Sequence, residues 1–268
     1  MIKPGAAVGR ELKGRHFLDL DQARTLPTPG LVATGRALAD LVDAGAMGVV
    51  HGAAGLGKTY AVETALARRS DVAVCWATFP SRPTMRSVAA SLFEALSGLG
   101  AGDRTRFRLT DQLIELLVPA PGVPPRVVVI DEAQRLTREC TELLRHLHDH
   151  PATHFTLVLV GGDGAWEVLS REPMLRSRVF RRVTLAPLTS SQVCQLMGAF
   201  HPVYDGVAAE LVLFVDDNFA PREPPRLGLV HLHRCQAVRR ARVCPVWTRR
   251  LPATPLLSTA ALAPDLAW

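Results

Sequence analysis

Eight residues narrow what this chain can fold into more than all the rest. Gly52-Ala53-Ala54-Gly55-Leu56-Gly57-Lys58-Thr59 follow the pattern G-x-x-x-x-G-K-[ST]. From the chain's own frequencies of glycine, lysine, serine and threonine, roughly 0.002 such matches are expected by chance. The surroundings suit the pattern. Residues 47–51 form a short apolar run of strand length, and Val62, Ala65, Leu66 and Arg69 then recur at helical spacing. Residues 72–77 form a second apolar run, so the unit reads strand, loop, helix, strand. Glycines without a Cβ let backbone N–H groups close around a triphosphate, and the helix that starts there turns its positive end to the same anion. Lys58 then supplies a point charge to the β- and γ-phosphates, and the Thr59 hydroxyl completes the shell of a Mg²⁺ ion. The expected nucleotide-binding run extends from Gly52 to Tyr60. Lysine at position 58 stands out in a chain that holds 28 arginines and only 3 lysines, because the two are not interchangeable as phosphate ligands.

The companion of this loop is Val127-Val128-Val129-Ile130-Asp131-Glu132. Residues 126–130 are apolar on both faces, as a central parallel strand requires. Such a strand delivers the residues after it to the carboxyl edge of the sheet, where α/β proteins bind ligands. Asp131 is the candidate to hold Mg²⁺ with Thr59, and Glu132 to orient or deprotonate the attacking water. An acid pair at a helix entry is common by itself; beside the Gly52–Thr59 loop it reads as the second half of an ATP site. Two further positions keep two readings each. In Leu175-Arg176-Ser177-Arg178, Arg178 either reaches a neighbouring subunit's γ-phosphate or is a structural surface arginine. In Gly161-Gly162-Asp163, Asp163 is either a γ-phosphate sensor or, the commoner use of such a triplet, part of a turn. Arg104, Arg106 and Arg108 alternate on what reads as a loop, either touching nucleic-acid phosphates or simply solvated. Arg181 and Arg182 carry the same pair of readings, and Trp76 and Trp166 read as core or rim aromatics.

Strands and helices alternate through the rest of the chain. Met85, Val88, Ala89, Leu92, Phe93 and Leu96 mark one amphipathic helix, residues 109–118 a second, and Leu136, Cys140, Leu143, Leu144 and Leu147 a third. Residues 155–160 and 179–185 read as strands, and residues 189–200 and 207–215 as the helices of a small lid. The expected fold is therefore α/β: a three-layer sandwich with a parallel central sheet and a short, truncated helical lid. Its expected divisions are an arm over residues 1–29, a nucleotide-binding domain over 30–186, the lid over 187–220 and a Pro/Arg-rich tail over 221–268. Charge supports the last division. Residues 222–268 hold eight arginines against two acids and so account for the whole net charge of +6, leaving residues 1–221 neutral. The tail reads either as a disordered basic segment or as the product of a shifted reading frame in GC-rich DNA. Five scattered cysteines without a CxxC pair argue against a disulfide framework, and His231, His233, Cys235 and Cys244 match no zinc spacing. No run is apolar for long enough to span a bilayer, and the first residues lack the apolar core of a secretory signal, so the expected location is the cytoplasm.

With both nucleotide motifs placed, residues 31–187 resemble an AAA+ ATPase. The runs Ile130-Asp131-Glu132-Ala133-Gln134, Leu143-Leu144-Arg145-His146-Leu147, Leu157-Val158-Leu159-Val160-Gly161 and Leu175-Arg176-Ser177-Arg178 are similar to one group within it. That group comprises the ATP-binding regulators of DNA transposition, of MuB or TniB type, and the related ExeA-like secretion ATPases. The resemblance implies Lys58 and Thr59 on the nucleotide, Asp131 and Glu132 on metal and water, and Arg178 as a finger between subunits. It implies ATP and Mg²⁺ as cofactors, ATP hydrolysis that depends on a homo-oligomer, and assembly on double-stranded DNA to regulate a transposase. The alternative is an ATP-dependent assembly, secretion or signalling module that never touches DNA.

Overall fold

Val127 to Ile130, and every residue from Phe155 to Gly161, are buried without a solvent-facing side. Strands of this kind need apolar cover above and below, and a parallel sheet between helices provides it. The computed structural model describes residues 22–79 and 82–219. All described residues lie in one compact unit of the chain. Five strands, β1 (Met47–Gly52), β2 (Ala73–Ala77), β3 (Arg126–Ile130), β4 (Phe155–Gly161) and β5 (Val179–Leu185), form one sheet in the order β2-β3-β4-β1-β5. Every pairing is parallel.

Side chains alternate between the two faces of these strands and build two cores. Val127, Val129, Val158, Val160, Val50, Val183 and Leu185 face α1 (Pro29–Ala44) and α2 (Lys58–Leu66). Val128, Ile130, Leu157, Leu159, Met47 and Val49 face the other way. They are covered by α3 (Met85–Ser97), α4 (Arg106–Leu117), α5 (Arg138–Asp149), α6 (Ala165–Ser170) and α7 (Pro173–Arg176). Each fully buried valine or leucine contributes about 1.5–3 kcal/mol. The one hydroxyl buried in β4, on Thr156, donates to the Leu41 carbonyl. Two further helices, α8 (Ser190–Phe200) and α9 (Ala209–Phe219), follow the sheet.

Threonine sets most of the helix starts. Thr28, Thr84, Thr105, Thr137 and Thr189 cap α1, α3, α4, α5 and α8, and each hydroxyl accepts from the backbone N–H three residues on. This rule corrects two expected boundaries. The helix expected at 109–118 begins at Arg106, because Thr105 caps it, and Arg106 and Arg108 sit in its first turn rather than in a loop. The helix expected to include Leu136 begins at Arg138, because Thr137 caps it and leaves Leu136 just outside. The last helix runs over Ala209–Phe219 instead of 207–215, and the short helices α6 and α7 were not anticipated. Among the described residues no helix is long and apolar enough to cross a membrane. Most of the expected arm, the tail, and His231, His233, Cys235 and Cys244 lie outside the described residues.

Candidate functional site

β1 ends at Gly52, and the chain turns through Ala53–Gly57 before α2 begins at Lys58. Only glycine fits at position 52, since a Cβ there would meet the Leu185 carbonyl oxygen of β5 at 2.4 Å. Gly57 caps α2 in the left-handed region, at φ 77°, with no side chain spent on the cap. The first N–H groups of α2 are thus left without a capping side chain, which is the state an anion requires. Lys58 lies over the loop, and its Nζ donates to the Ala53 carbonyl at 2.7 Å. Burial pulls its pKa below the usual lysine value, while Asp163, Glu132 and Asp131 oppose that shift. Next along α2, the Tyr60 hydroxyl is hydrogen-bonded to that of Thr25, tying the nucleotide-loop helix to the segment before α1.

β3 brings Asp131 and Glu132 to the same edge. The Thr59 hydroxyl donates to Asp131 Oδ2 at 3.0 Å, although 72 residues separate the two in sequence. Asp131 Oδ1 accepts from the Glu132 N–H at 2.8 Å, and the Asp131 N–H reaches the Ala77 carbonyl of β2. Glu132 stands in the left-handed region at φ 55°, which non-glycine residues seldom adopt. Its Oε2 accepts from Gln134 Nε2 at 2.8 Å and lies 3.2 Å from Arg135 Nη2. Gln134 Oε1 in turn accepts from the Gly162 N–H at 2.9 Å. The structure therefore gathers Lys58, Thr59, Asp131, Glu132 and Asp163 around one edge of the sheet. Asp163 follows the Gly161-Gly162 turn into α6, whose first residue donates back to the Gly162 carbonyl.

Two neighbours were not singled out from sequence for any role. His51, the last side chain of β1 before the loop, bonds Thr184 at 3.0 Å and stacks on Trp166, over which Arg182 lies at 4.7 Å. Burial, then Arg182, lower the His51 pKa, and Glu167 opposes them. Gln134 closes the Ile130–Gln134 run, but spacing gives no hint of its bridge to Gly162. The arginines divide. Arg178 is held at the start of β5: its Nε donates to Asp149 Oδ1 at 2.6 Å and its Nη1 to the Met174 carbonyl at 3.0 Å. Burial works against the charged form of Asp149, yet Arg178 and Arg145 outweigh it and hold the carboxyl below its usual range. Arg104 donates to the Gly100 and Ala101 carbonyls and lies 5.0 Å over the Phe93 ring, so it braces its own loop instead of offering a free charge. Arg106 lies over Phe107, and Arg181 pairs with Asp40.

Residues 42–169 match the family model described as an AAA domain. No curated protein sequence matches the chain. Among solved structures, Cdc6p from Pyrobaculum aerophilum superposes with a TM-score of 0.65 at 16% identity, over 83% of this chain and 65% of that one. The ORC1 protein of Aeropyrum pernix, in complex with DNA, gives 0.61 at 21% identity, over 84% and 63%. The ORC2 protein of Aeropyrum pernix, in ADPNP–ADP complexes, gives 0.51 at 16% identity, over 66% and 52%. The chain thus spans between half and two thirds of the length of these proteins. What it shares with them is the fold, a five-stranded parallel sheet between helices in the AAA+ P-loop arrangement.

Proposed function

We propose, from an AAA+ P-loop fold in which both nucleotide motifs converge on one sheet edge, that this protein binds ATP with Mg²⁺ and hydrolyses it. The observation that carries this reading is the 3.0 Å contact between Thr59 Oγ1 and Asp131 Oδ2, which brings the two motifs together. These are hard oxygen donors, and among the described residues no group of three or more His, Cys, Asp or Glu forms a metal cage. That set suits Mg²⁺, which keeps several waters and takes its remaining ligands from phosphates. When bound, the ion neutralises charge on the β- and γ-phosphates. Residues Gly52–Gly57 present backbone N–H groups to the phosphates, and Lys58 exchanges its bond to the Ala53 carbonyl for the γ-phosphate. Glu132 orients the attacking water and accepts its proton. Asp163, next to Lys58, senses the γ-phosphate, and Arg178 serves a neighbouring subunit's site in a homo-oligomer.

Within that reading, residues 30–186 form the nucleotide-binding domain and 187–220 its lid. The finer role is assembly on double-stranded DNA to regulate a transposase or a similar DNA transaction. It is supported by the Asp131-Glu132-Ala133-Gln134 and Ser177-Arg178 runs, and by a fold shared with an ORC1 protein solved on DNA. A module that works without DNA is favoured by one observation: residues 1–221 carry no net charge. ATP hydrolysis measured with and without double-stranded DNA, at low and high salt, beside Glu132→Gln, separates the two. Stimulation that fades with salt and disappears in the variant supports the DNA role. Turnover indifferent to DNA moves the assignment to the assembly module, and wild-type turnover no higher than that of Glu132→Gln sinks the hydrolytic reading.

A further inference from the structure

The turn after β3 places Gln134 between two parts of the site that lie on different strands. A backbone N–H can only donate, so the bond from Gly162 fixes which end of the amide is oxygen. The NH₂ end then necessarily faces the Glu132 carboxylate, 2.8 Å away. Gly161 makes room for this. A Cβ at that position would lie 3.0 Å from Gln134 Oε1 and 2.4 Å from the Ala165 Cβ. At its other end Glu132 is fixed by its left-handed backbone and by the bond from its N–H to Asp131. Among the described residues both the side-chain hydrogen bond and the ion pair of Glu132 fall on Oε2, from Gln134 and Arg135, and none falls on Oε1.

Arg135 is the rival for control of this carboxylate. Its ion pair joins two side chains that are each about half exposed, at 47% and 48%. Pairs of that kind hold geometry poorly, because water screens them and two long side chains must be ordered. Gln134 is anchored at its far end to the backbone after β4, so its amide is already ordered when it meets Glu132.

We propose that Gln134 is a positioning residue. It ties the end of β4, beside Asp163, to Glu132, occupying Oε2 and leaving Oε1 to take the proton of the attacking water. This inference rests on the hydrolytic reading above. Three variants test it, each assayed for turnover, for affinity toward a fluorescent ATP analogue and for thermal midpoint. Gln134→Glu keeps the length and the acceptor for the Gly162 N–H but sets a carboxylate against Glu132; Gln134→Ala removes both bonds; Arg135→Ala removes the rival. The expected result is kcat at least about tenfold lower in both Gln134 variants, with nucleotide affinity within about twofold of wild type, and Arg135→Ala within about threefold in kcat. A wild-type rate in Gln134→Glu would show that Gln134 only braces the Gly162 turn, and the inference fails. Wild-type rates in both Gln134 variants with a loss in Arg135→Ala would transfer the role to Arg135, and it fails again. Wild-type turnover equal to that of Glu132→Gln is a different failure, that of hydrolysis itself.

Discussion

At the scale of single residues, the site is made of groups placed against their own solvation preferences. Lys58 is the clearest. Burial lowers its pKa, so the folded state disfavours the charged amine that neutral solution demands. Below the lowered pKa, that cost is present in full. It is recovered when a triphosphate supplies the missing countercharge. Lys58→Met should therefore abolish binding of a fluorescent ATP analogue while leaving the thermal midpoint of the nucleotide-free protein unchanged or raised. A fall of more than about 5 °C would show that the bond to Ala53, not phosphate, is what Lys58 provides. His148 makes a second case. Its buried Nε2 has no hydrogen-bond partner among the described residues, and its ring meets Phe155 edge-on. Burial lowers its pKa; Asp149 and a backbone bond involving Gly45 oppose this, and His154 and Arg178 reinforce it. The folded state therefore holds this proton less tightly than the unfolded chain, which takes up more protons as pH falls through 6.5. Stability should drop through that window, and less steeply in His148→Gln. A loss of unfolding free energy between pH 7.5 and 5.5 that is as large in His148→Gln as in wild type, measured by urea titration, would remove His148 from the account.

At the scale of elements, the sheet was legible and some of the helices were not. β3 was read at its observed bounds and β1 and β4 to within a residue, because a strand apolar on both faces leaves little latitude. Leu157, fully buried in the middle of β4, shows what that burial is worth: Leu157→Ala should cost about 3 kcal/mol in chemical denaturation. A loss below about 1 kcal/mol would mean that the α5 side of the core closes over the gap. Helix starts were less legible because hydrophobic period marks the middle of a helix, whereas a threonine hydroxyl marks its end. Thr105 decided that Arg106 and Arg108 are helical. α6 and α7, of 6 and 4 residues, are too short to show a period at all. The same limit applies to the site. Gly52–Thr59 and Asp131-Glu132 announce themselves because each is contiguous in sequence. The bridge from Gln134 to Gly162 spans 28 residues and two strands, and only folding brings the pair together.

At the scale of the whole molecule, Arg178 poses the question that one chain cannot answer alone. In this chain its guanidinium is occupied by Asp149 and by the Met174 carbonyl, with about a third of the side chain exposed. Arg145 shares the same aspartate, so a single carboxylate holds two arginines and α5 is linked to the start of β5. An arginine that acts on a neighbour has to leave such a pair, and the exchange is favourable only where a more highly charged acceptor, such as a γ-phosphate, is within reach. If Arg178 is only structural, Arg178→Ala loses stability, and mixing it with another variant restores nothing. If it acts between subunits, Arg178→Ala and Glu132→Gln are each inactive alone. Mixed in equal amounts they recover activity, since a subunit with an intact Glu132 meets a neighbour with an intact Arg178 at roughly one interface in four. Turnover of the mixture near a quarter of wild type, at protein concentrations high enough for assembly, assigns Arg178 to the neighbouring site. Turnover no greater than the sum of the two variants assigns it to the Asp149 pair.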